Sequence, residues 1–177
     1  MNTPEEVVRL RRMSAAELEQ AGRESLRDHL LAQAIVAHQK HRGLTDGGLE
    51  AFLHDLQCVR HPVRLVFEFG EMALHQFAQP DIDWRNTAED GRVLYLRPAL
   101  RDRPDLVRLA VAYMIPLINY GEIISDEHCL LYGAALLGTM EQEFYEQICT
   151  LADFCGAETL VAGTPAFECA GTPARCG

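Results

Sequence analysis

Residues 62–79 read PVRLVFEFGEMALHQFAQ, and the fold prediction rests mainly on the pattern of these residues. Spaced at about 100° per residue, its apolar side chains cover most of the circumference of a helix. The apolar arc contains Val63, Val66, Phe67, Gly70, Ala73, Leu74, Phe77 and Ala78, with Leu65, Phe69 and Met72 at its flank. A helix that is apolar on most sides normally lies at the centre of its domain. The stretch therefore predicts a buried central helix that stops at Pro80.

The polar side chains of this stretch form a narrow seam along that helix. They are Arg64, Glu68, Glu71, His75 and Gln79, which follow one another at three or four residues. In helical bundles that hold two metal ions, Glu and His side chains on one helix face share a cation. Glu68, Glu71 and His75 are therefore a candidate metal site, although His75 follows Glu71 by four residues and the usual spacing is three. A surface ladder of ordinary ion pairs is the alternative.

A second half of such a site requires ligands from elsewhere in the chain. The candidates are Glu122, Asp126, Glu127 and His128, or His38 and His41 on the first long helix. Asp126 and Glu127 also suit the start of a helix, where carboxylates interact favourably with the helix dipole. The predicted ligand set is Glu68, Glu71, His75, Glu122 and His128, and the expected ion is divalent, such as iron or zinc.

Further helices are predicted before the central stretch. Ser14 and Glu17 have the spacing of a capping box, and an amphipathic pattern follows them to about Arg42. Gly43 is a typical helix stop. A short helix is predicted from Pro4, and another from Leu49.

Three more helices are predicted after residue 104. The first is apolar and is kinked or ended by Pro116. Ser125 caps the next, from residue 126 to about residue 137, in which the small residues Gly133 and Ala134 allow a close contact between helices. Thr139 and Gln142 have capping-box spacing for a last helix that ends at residues 155–156.

Residues 80–104 break the helical pattern. Val93 to Leu96 alternate like a short strand, which needs a partner around Ile82–Trp84 or in a second subunit. The predicted fold is accordingly all-α: a bundle of about six to seven helices, with one short strand or hairpin at most in residues 80–104. Residues 1–156 form the predicted helical domain. Residues 157–177 form an irregular extension, in which AGTPA occurs twice and is followed each time by a cysteine, Cys169 and Cys176.

The charge distribution restricts the classes of partner. The net charge is −10, which argues against nucleic-acid binding because phosphate contacts need a basic face. No Lys or Arg lies between Arg108 and Arg175, so the excess negative charge falls in the carboxyl-terminal third. Such a surface is either simply solvated, or it attracts a basic protein partner or a cation.

The sequence predicts a cytoplasmic protein. No apolar run approaches the roughly 20 residues that cross a bilayer, and the first residues lack the apolar core of a secretory signal. The six cysteines would then be mostly reduced, and none forms a C-x-x-C pair. Cys58, Cys129 and Cys149 are expected to be buried as small hydrophobic side chains. Phosphate-binding and nucleophile-elbow motifs are absent as well.

Two functions from different classes follow from these features. The first is an oligomeric interaction or accessory protein, a homo-oligomer that uses its acidic carboxyl-terminal surface, residues 80–104 and the tail as contacts. The second is a metal-binding helical bundle with a carboxylate and histidine site and a redox or storage activity. Burial of the Glu68 and Glu71 carboxylates would favour the second function, because buried carboxylates need a cation or a proton.

Overall fold

The structure is a computed structural model that describes residues 12–45, 47–73, 76–81 and 91–162, with side chains as far as residue 157. The described ranges contain five α-helices and three β-strands. The helices are α1 (Ala15–His41), α2 (Gly48–Leu53), α3 (Pro104–Tyr120), α4 (Asp126–Leu137) and α5 (Glu141–Ala162). The strands are β1 (Val63–Phe67), β2 (Ala78–Asp81) and β3 (Arg92–Leu96).

The prediction of a central helix over residues 62–79 is wrong, and with it the all-α bundle of six to seven helices. Within the described part of this stretch, Val63–Phe67 forms β1 and the last two residues begin β2. Short apolar runs do not distinguish a strand from a buried helix by periodicity, and Val63–Phe67 is rich in residues that favour strands. Gly70 adopts a left-handed backbone (φ +53°), which ends any continuous helical path. The protein is nevertheless mostly helical.

The three strands form one mixed sheet in the order β1-β3-β2. β1 runs parallel to β3, with Val63 beside Arg92 and Phe67 beside Leu96. β2 runs antiparallel to β3, with Ala78 beside Leu96. The predicted strand at residues 93–96 is therefore confirmed, but its partners are β1 and β2. The predicted partner at Ile82–Trp84 lies outside the described residues.

Several helix ends follow the sequence signals. The Ser14 capping box forms, since the Glu17 N–H donates to Ser14 Oγ (3.3 Å) and the Ser14 N–H donates to Glu17 Oε2 (2.7 Å). α4 has the predicted bounds. The box at Thr139 does not form: the Thr139 hydroxyl has no hydrogen-bond partner among the described residues, and α5 starts at Glu141.

α5 also continues to Ala162, past the predicted end at residues 155–156. The predicted helix at Pro4 and the repeat with Cys169 and Cys176 lie outside the described residues.

The predicted burial of three cysteines is confirmed for two of them. Cys58 and Cys129 are buried, whereas Cys149 is exposed. The buried face of α5 passes through Phe144 and Ile148. Cys149 follows Ile148 directly and therefore points about 100° away from that face.

The core is built around α3. Ala110, Val111, Ala112 and Ile115 are fully buried, and α3 contacts α4, α5 and β2. Pro116 lies inside α3 and does not end it. α1 packs against α4.

One stretch of the described residues, Pro104–Ile123, has the length and apolar composition of a membrane span. The stretch consists of α3 and the turn that follows it. More than half of its most apolar window is buried inside the fold (56%). Core helices of globular proteins share this length and composition, so the stretch indicates a membrane span only weakly.

Candidate functional site

His41, Asp55 and Cys58 form a compact cluster between α1 and the turn after α2. Their ligand atoms, one from each side chain, all lie within 4.8 Å of one another. His41 and Cys58 are buried, and the Asp55 side chain is only 12% exposed. Within the described ranges, no other group of three His, Cys, Asp or Glu side chains brings its ligand atoms this close. The cluster is therefore the candidate functional site.

The backbone around the site explains how the three residues meet. His41 is the last residue of α1, and Arg42 then adopts a left-handed conformation that turns the chain back. Gly48 allows the start of α2 to pack closely against the end of α1, since a Cβ atom at this position would lie 2.5 Å from the His41 carbonyl oxygen. After α2, the N–H groups of Cys58 and Val59 both donate to the Asp55 carbonyl (2.8 and 2.9 Å). This turn places Cys58 beside the Asp55 carboxylate.

One oxygen of Asp55 is the centre of the cluster. Asp55 Oδ2 lies 2.7 Å from Lys40 Nζ and 2.8 Å from His41 Nε2. The Cys58 thiol donates to the same oxygen at 3.4 Å. The second oxygen, Oδ1, accepts from the Gln57 N–H (3.1 Å). The negative charge of Asp55 is therefore surrounded by donors.

These contacts set the protonation of the two acidic groups. Burial alone would raise the pKa of Asp55, but the hydrogen bonds from Lys40, His41, Gln57 and Cys58 outweigh it and hold the pKa well below its usual value. Burial and then the adjacent Asp55 carboxylate raise the pKa of Cys58 to about 11. At neutral pH the sulfur is therefore a thiol, which is a poor nucleophile. The arrangement favours cation binding or structural stabilisation over covalent catalysis.

The lowered pKa of Asp55 predicts an acid-dependent stability. The folded-state pKa lies below the unfolded value of about 3.9, so the unfolded protein binds more protons in acid. The contribution of Asp55 is then fully present above about pH 4 and is lost as the pH falls towards the folded-state pKa. We expect Asp55→Asn to lower the free energy of unfolding by about 1–3 kcal/mol at pH 7 and by progressively less below about pH 4.

Urea unfolding of both proteins between about pH 7 and pH 2.5 measures this difference. The matched control is Asp105→Asn, because Asp105 pairs with Arg103 (2.9 Å) but its side chain is 59% exposed. An exposed pair contributes about 0–1 kcal/mol. An Asp55→Asn penalty that stays constant down to about pH 2.5 would contradict the assignment.

The predicted metal residues are not assembled into one site by the described part of the chain. Glu68 and Glu71 are exposed in the turn after β1, where they line a depression of about 490 Å³ together with Asp81. His75 lies outside the described residues. Their predicted common helix is absent, because that stretch forms β1 and β2.

The predicted second half of the site lies elsewhere. Glu122 is exposed in the short 3₁₀ turn after α3. His128 lies in the first turn of α4, and its Nδ1 is 2.9 Å from Ser125 Oγ and accepts from the Ser125 N–H (3.2 Å). The ring therefore caps α4. His128 also lines a different depression from the one that Glu68 and Glu71 line.

Sequence reasoning identifies only part of the observed cluster. His41 is one of the candidate ligands on the long first helix, together with His38, but His38 Nδ1 lies 2.9 Å from the Leu136 carbonyl oxygen and not in the cluster. Cys58 is buried, as predicted. Asp55 is absent from the predicted ligand set. The D-x-x-C spacing of Asp55 and Cys58 is the signal that could have indicated it.

Known proteins offer no assignment that could be transferred to this cluster. No protein-family model matches the sequence. No curated protein and no solved structure matches the chain either. A function for the protein must therefore be inferred from its own residues.

Proposed function

We propose that the protein binds one divalent metal ion, with zinc as the expected metal. The ligand atoms are His41 Nε2, Asp55 Oδ2 and Cys58 Sγ. The observation that carries the proposal is the closeness of these three atoms, all within 4.8 Å, in a buried part of the fold. Imidazole nitrogen, carboxylate oxygen and thiolate sulfur are the three ligand types that zinc prefers. The thiolate disfavours Mg²⁺ and Ca²⁺, which prefer oxygen ligands.

The distances support a tetrahedral site with little rearrangement. Zinc bonds of about 2.0–2.3 Å place neighbouring ligand atoms about 3.2–3.7 Å apart. The Cys58 Sγ to Asp55 Oδ2 separation is already 3.4 Å. The His41 Nε2 to Asp55 Oδ2 separation of 2.8 Å would open by about half an ångström. A water molecule could supply the fourth ligand.

The Lys40 ammonium and the proton of the Cys58 thiol compete with the ion for the same ligand atoms. Lys40 Nζ lies 2.7 Å from Asp55 Oδ2, and its side chain is 44% exposed, so it can move into solvent. The Cys58 thiol must release its proton, and its raised pKa of about 11 makes that release costly at neutral pH. The affinity for zinc should therefore increase with pH and on removal of the Lys40 charge.

This competition predicts opposite effects for two variants. Lys40→Met should strengthen zinc binding because the ammonium no longer balances Asp55. Cys58→Ser should weaken it by about tenfold or more because it removes the thiolate ligand. Competition titration against a chromophoric zinc chelator, with protein free of any affinity tag, measures both dissociation constants. Ferrous iron is titrated in parallel under anaerobic conditions.

The matched control is Cys129→Ser, since Cys129 is also a buried thiol but lies in α4, outside the cluster. It should leave zinc binding unchanged. A zinc concentration of about 100 times the dissociation constant should stabilise the wild type by about 2.7 kcal/mol. Absence of any zinc-dependent rise in melting temperature, or equal affinities for the two serine variants, would overturn the proposal.

A second candidate function is that of a homo-oligomeric accessory protein. The observation that favours it is a mostly apolar groove of about 390 Å³ between α2 and β1, lined by Leu49, Leu53, Pro62, Val63 and Leu65 together with Glu50, His54 and Arg64. Open apolar grooves of this kind are typical of interaction sites. Sedimentation over a range of protein concentrations is the test. A monomer at high micromolar concentration would contradict this function.

A further inference from the structure

The outer edge of β1 lacks the protection that the other edge of the sheet has. The order β1-β3-β2 leaves one side of β1 without a neighbouring strand among the described residues. β2, at the opposite edge, contains Pro80, which has no N–H and is a common device against pairing with another chain. β1 contains no proline and four apolar residues out of five. Such an edge is a template for another strand.

The register shows which backbone groups of β1 are available. The Arg92 N–H donates to the Pro62 carbonyl (2.7 Å). In a parallel ladder the backbone groups of alternate residues face the same neighbour, so those of Arg64 and Val66 face β3. The N–H and C=O groups of Leu65 and Phe67 then face outward. The Phe67 carbonyl is approached by Arg101 at 3.4 Å and has a lone pair left for a second donor.

Two opposite charges lie along this edge without an ion pair in the described part of the chain. Arg64 is exposed on β1, and Glu68 is exposed directly after the strand. Neither has a salt bridge with a described residue. Their positions are two residues before and two residues after Val66. Two antiparallel copies of this edge, centred on Val66, would therefore place Arg64 of each copy opposite Glu68 of the other.

An exposed aromatic side chain continues the same pattern. Phe69 is 47% exposed and lies three residues after Val66. Val63 lies three residues before Val66 and lines the apolar groove beside α2. In an antiparallel pair centred on Val66, Phe69 of one chain would therefore lie opposite Val63 of the other, next to this groove.

We propose that β1 pairs with the β1 strand of a second copy, antiparallel and across a two-fold axis at Val66. Leu65 lies opposite the partner's Phe67, and Arg64 lies opposite the partner's Glu68. The exposed side of the partner's Phe69 faces the groove between α2 and β1, while its ring keeps the contact with Arg97 of the same chain. About four backbone hydrogen bonds form between the outward groups of Leu65 and Phe67 in the two chains. The proposal rests on the accessory, homo-oligomeric function and adds its contact surface and register.

The position of α2 is compatible with this dimer. α2 borders β1 at its amino-terminal half, residues 62–65. The two-fold axis at Val66 places the partner's α2 at the opposite end of the paired strands, so the two helices do not compete for space. The two three-stranded sheets become one sheet of six strands. Such a sheet buries both unprotected edges, which removes the risk of open-ended aggregation.

Charge reversal tests the register. Arg64→Glu and Glu68→Arg each place two pairs of like charges opposite each other across the axis. We expect each to raise the dimer dissociation constant at least about fivefold, because like charges directly opposite are destabilising. The double variant Arg64→Glu with Glu68→Arg restores both ion pairs, so its dissociation constant should return to within about twofold of the wild type. Analytical ultracentrifugation at low salt measures all four proteins.

The control is Glu71→Arg, which makes the same change in net charge as Glu68→Arg at an exposed residue outside the paired strands. It should leave the dissociation constant unchanged. A dimer that is insensitive to both reversals, or is not restored by the double variant, overturns the β1 pairing and leaves the homo-oligomeric function standing. A wild type that stays monomeric at about 200 μM overturns both.

Discussion

Replacing Arg97 with alanine is expected to lower the free energy of unfolding by about 3–5 kcal/mol. Arg97 follows β3 and is only 1% exposed. Its Nε donates to the Gln76 carbonyl at 2.8 Å, and its Nη2 donates to the Ala73 carbonyl at 2.6 Å. Hydrogen bonds from a charged donor are worth about 1.5–3 kcal/mol each. The guanidinium therefore holds Ala73 and Gln76, in the described parts of the segment between β1 and β2, against the sheet.

The Arg97 side chain also packs against the same segment. The guanidinium carbon lies 5.3 Å from the centre of the Phe69 ring, within the range of a cation–π contact. Truncation to alanine removes this contact, the two hydrogen bonds and the packing of the side-chain stem. Arg97→Met keeps most of the volume and loses only the polar interactions. Its penalty should therefore be smaller than that of Arg97→Ala.

Denaturant unfolding followed by circular dichroism measures both penalties. The matched control is Arg101→Ala, because Arg101 is exposed and has weak contacts: a long hydrogen bond of 3.4 Å to the Phe67 carbonyl and a guanidinium carbon 5.8 Å from the Phe67 ring centre. That change should cost no more than about 0.5 kcal/mol. If Arg97→Met were as stable as the wild type, the carbonyl contacts would contribute no net stability.

The second large effect is expected at Gly133, where α4 crosses α5. A Cβ atom at Gly133 would overlap the ring of Phe144, which is fully buried. Gly133→Leu must therefore displace Phe144 from the core, and losing a buried phenylalanine costs about 3–5 kcal/mol. Thermal unfolding should show a correspondingly large fall in melting temperature.

A glycine in an open part of a helix serves as the control. Its replacement shows the effect of helix propensity without a steric clash. Gly22 lies in α1, and a Cβ atom added there would have no atom within 4 Å, so Gly22→Leu should be neutral or stabilising by up to about 1 kcal/mol. In a double-mutant cycle, Gly133→Leu and Phe144→Ala should cost much less together than the sum of the two, since the leucine enters the space that the ring leaves. Additive penalties would contradict a direct clash.

The candidate site could be predicted only in part. A buried Cys58 and a histidine near the end of α1 follow from local patterns, since apolar positions and helix ends are read from neighbouring residues. The convergence of Lys40, His41 and Cys58 on one oxygen of Asp55 depends on how the turn after α2 packs back onto α1. The hydrophobic periodicity of the sequence contains no information about that contact. The ligand set predicted from Glu68, Glu71 and His75 depended on a helix that does not form.

Features that depend on residues within one or two turns of each other can be read from the amino-acid sequence alone. The Ser14 capping box and the bounds of α4 both follow from local side-chain chemistry, and the structure confirms them. The conformation of residues 62–79 was decided by tertiary structure. Its apolar pattern suits a buried helix or a strand equally well, and only pairing with β3, about 30 residues further along the chain, makes the strand the more stable choice. A strand obtains its hydrogen bonds from distant residues, whereas a helix obtains them from its own.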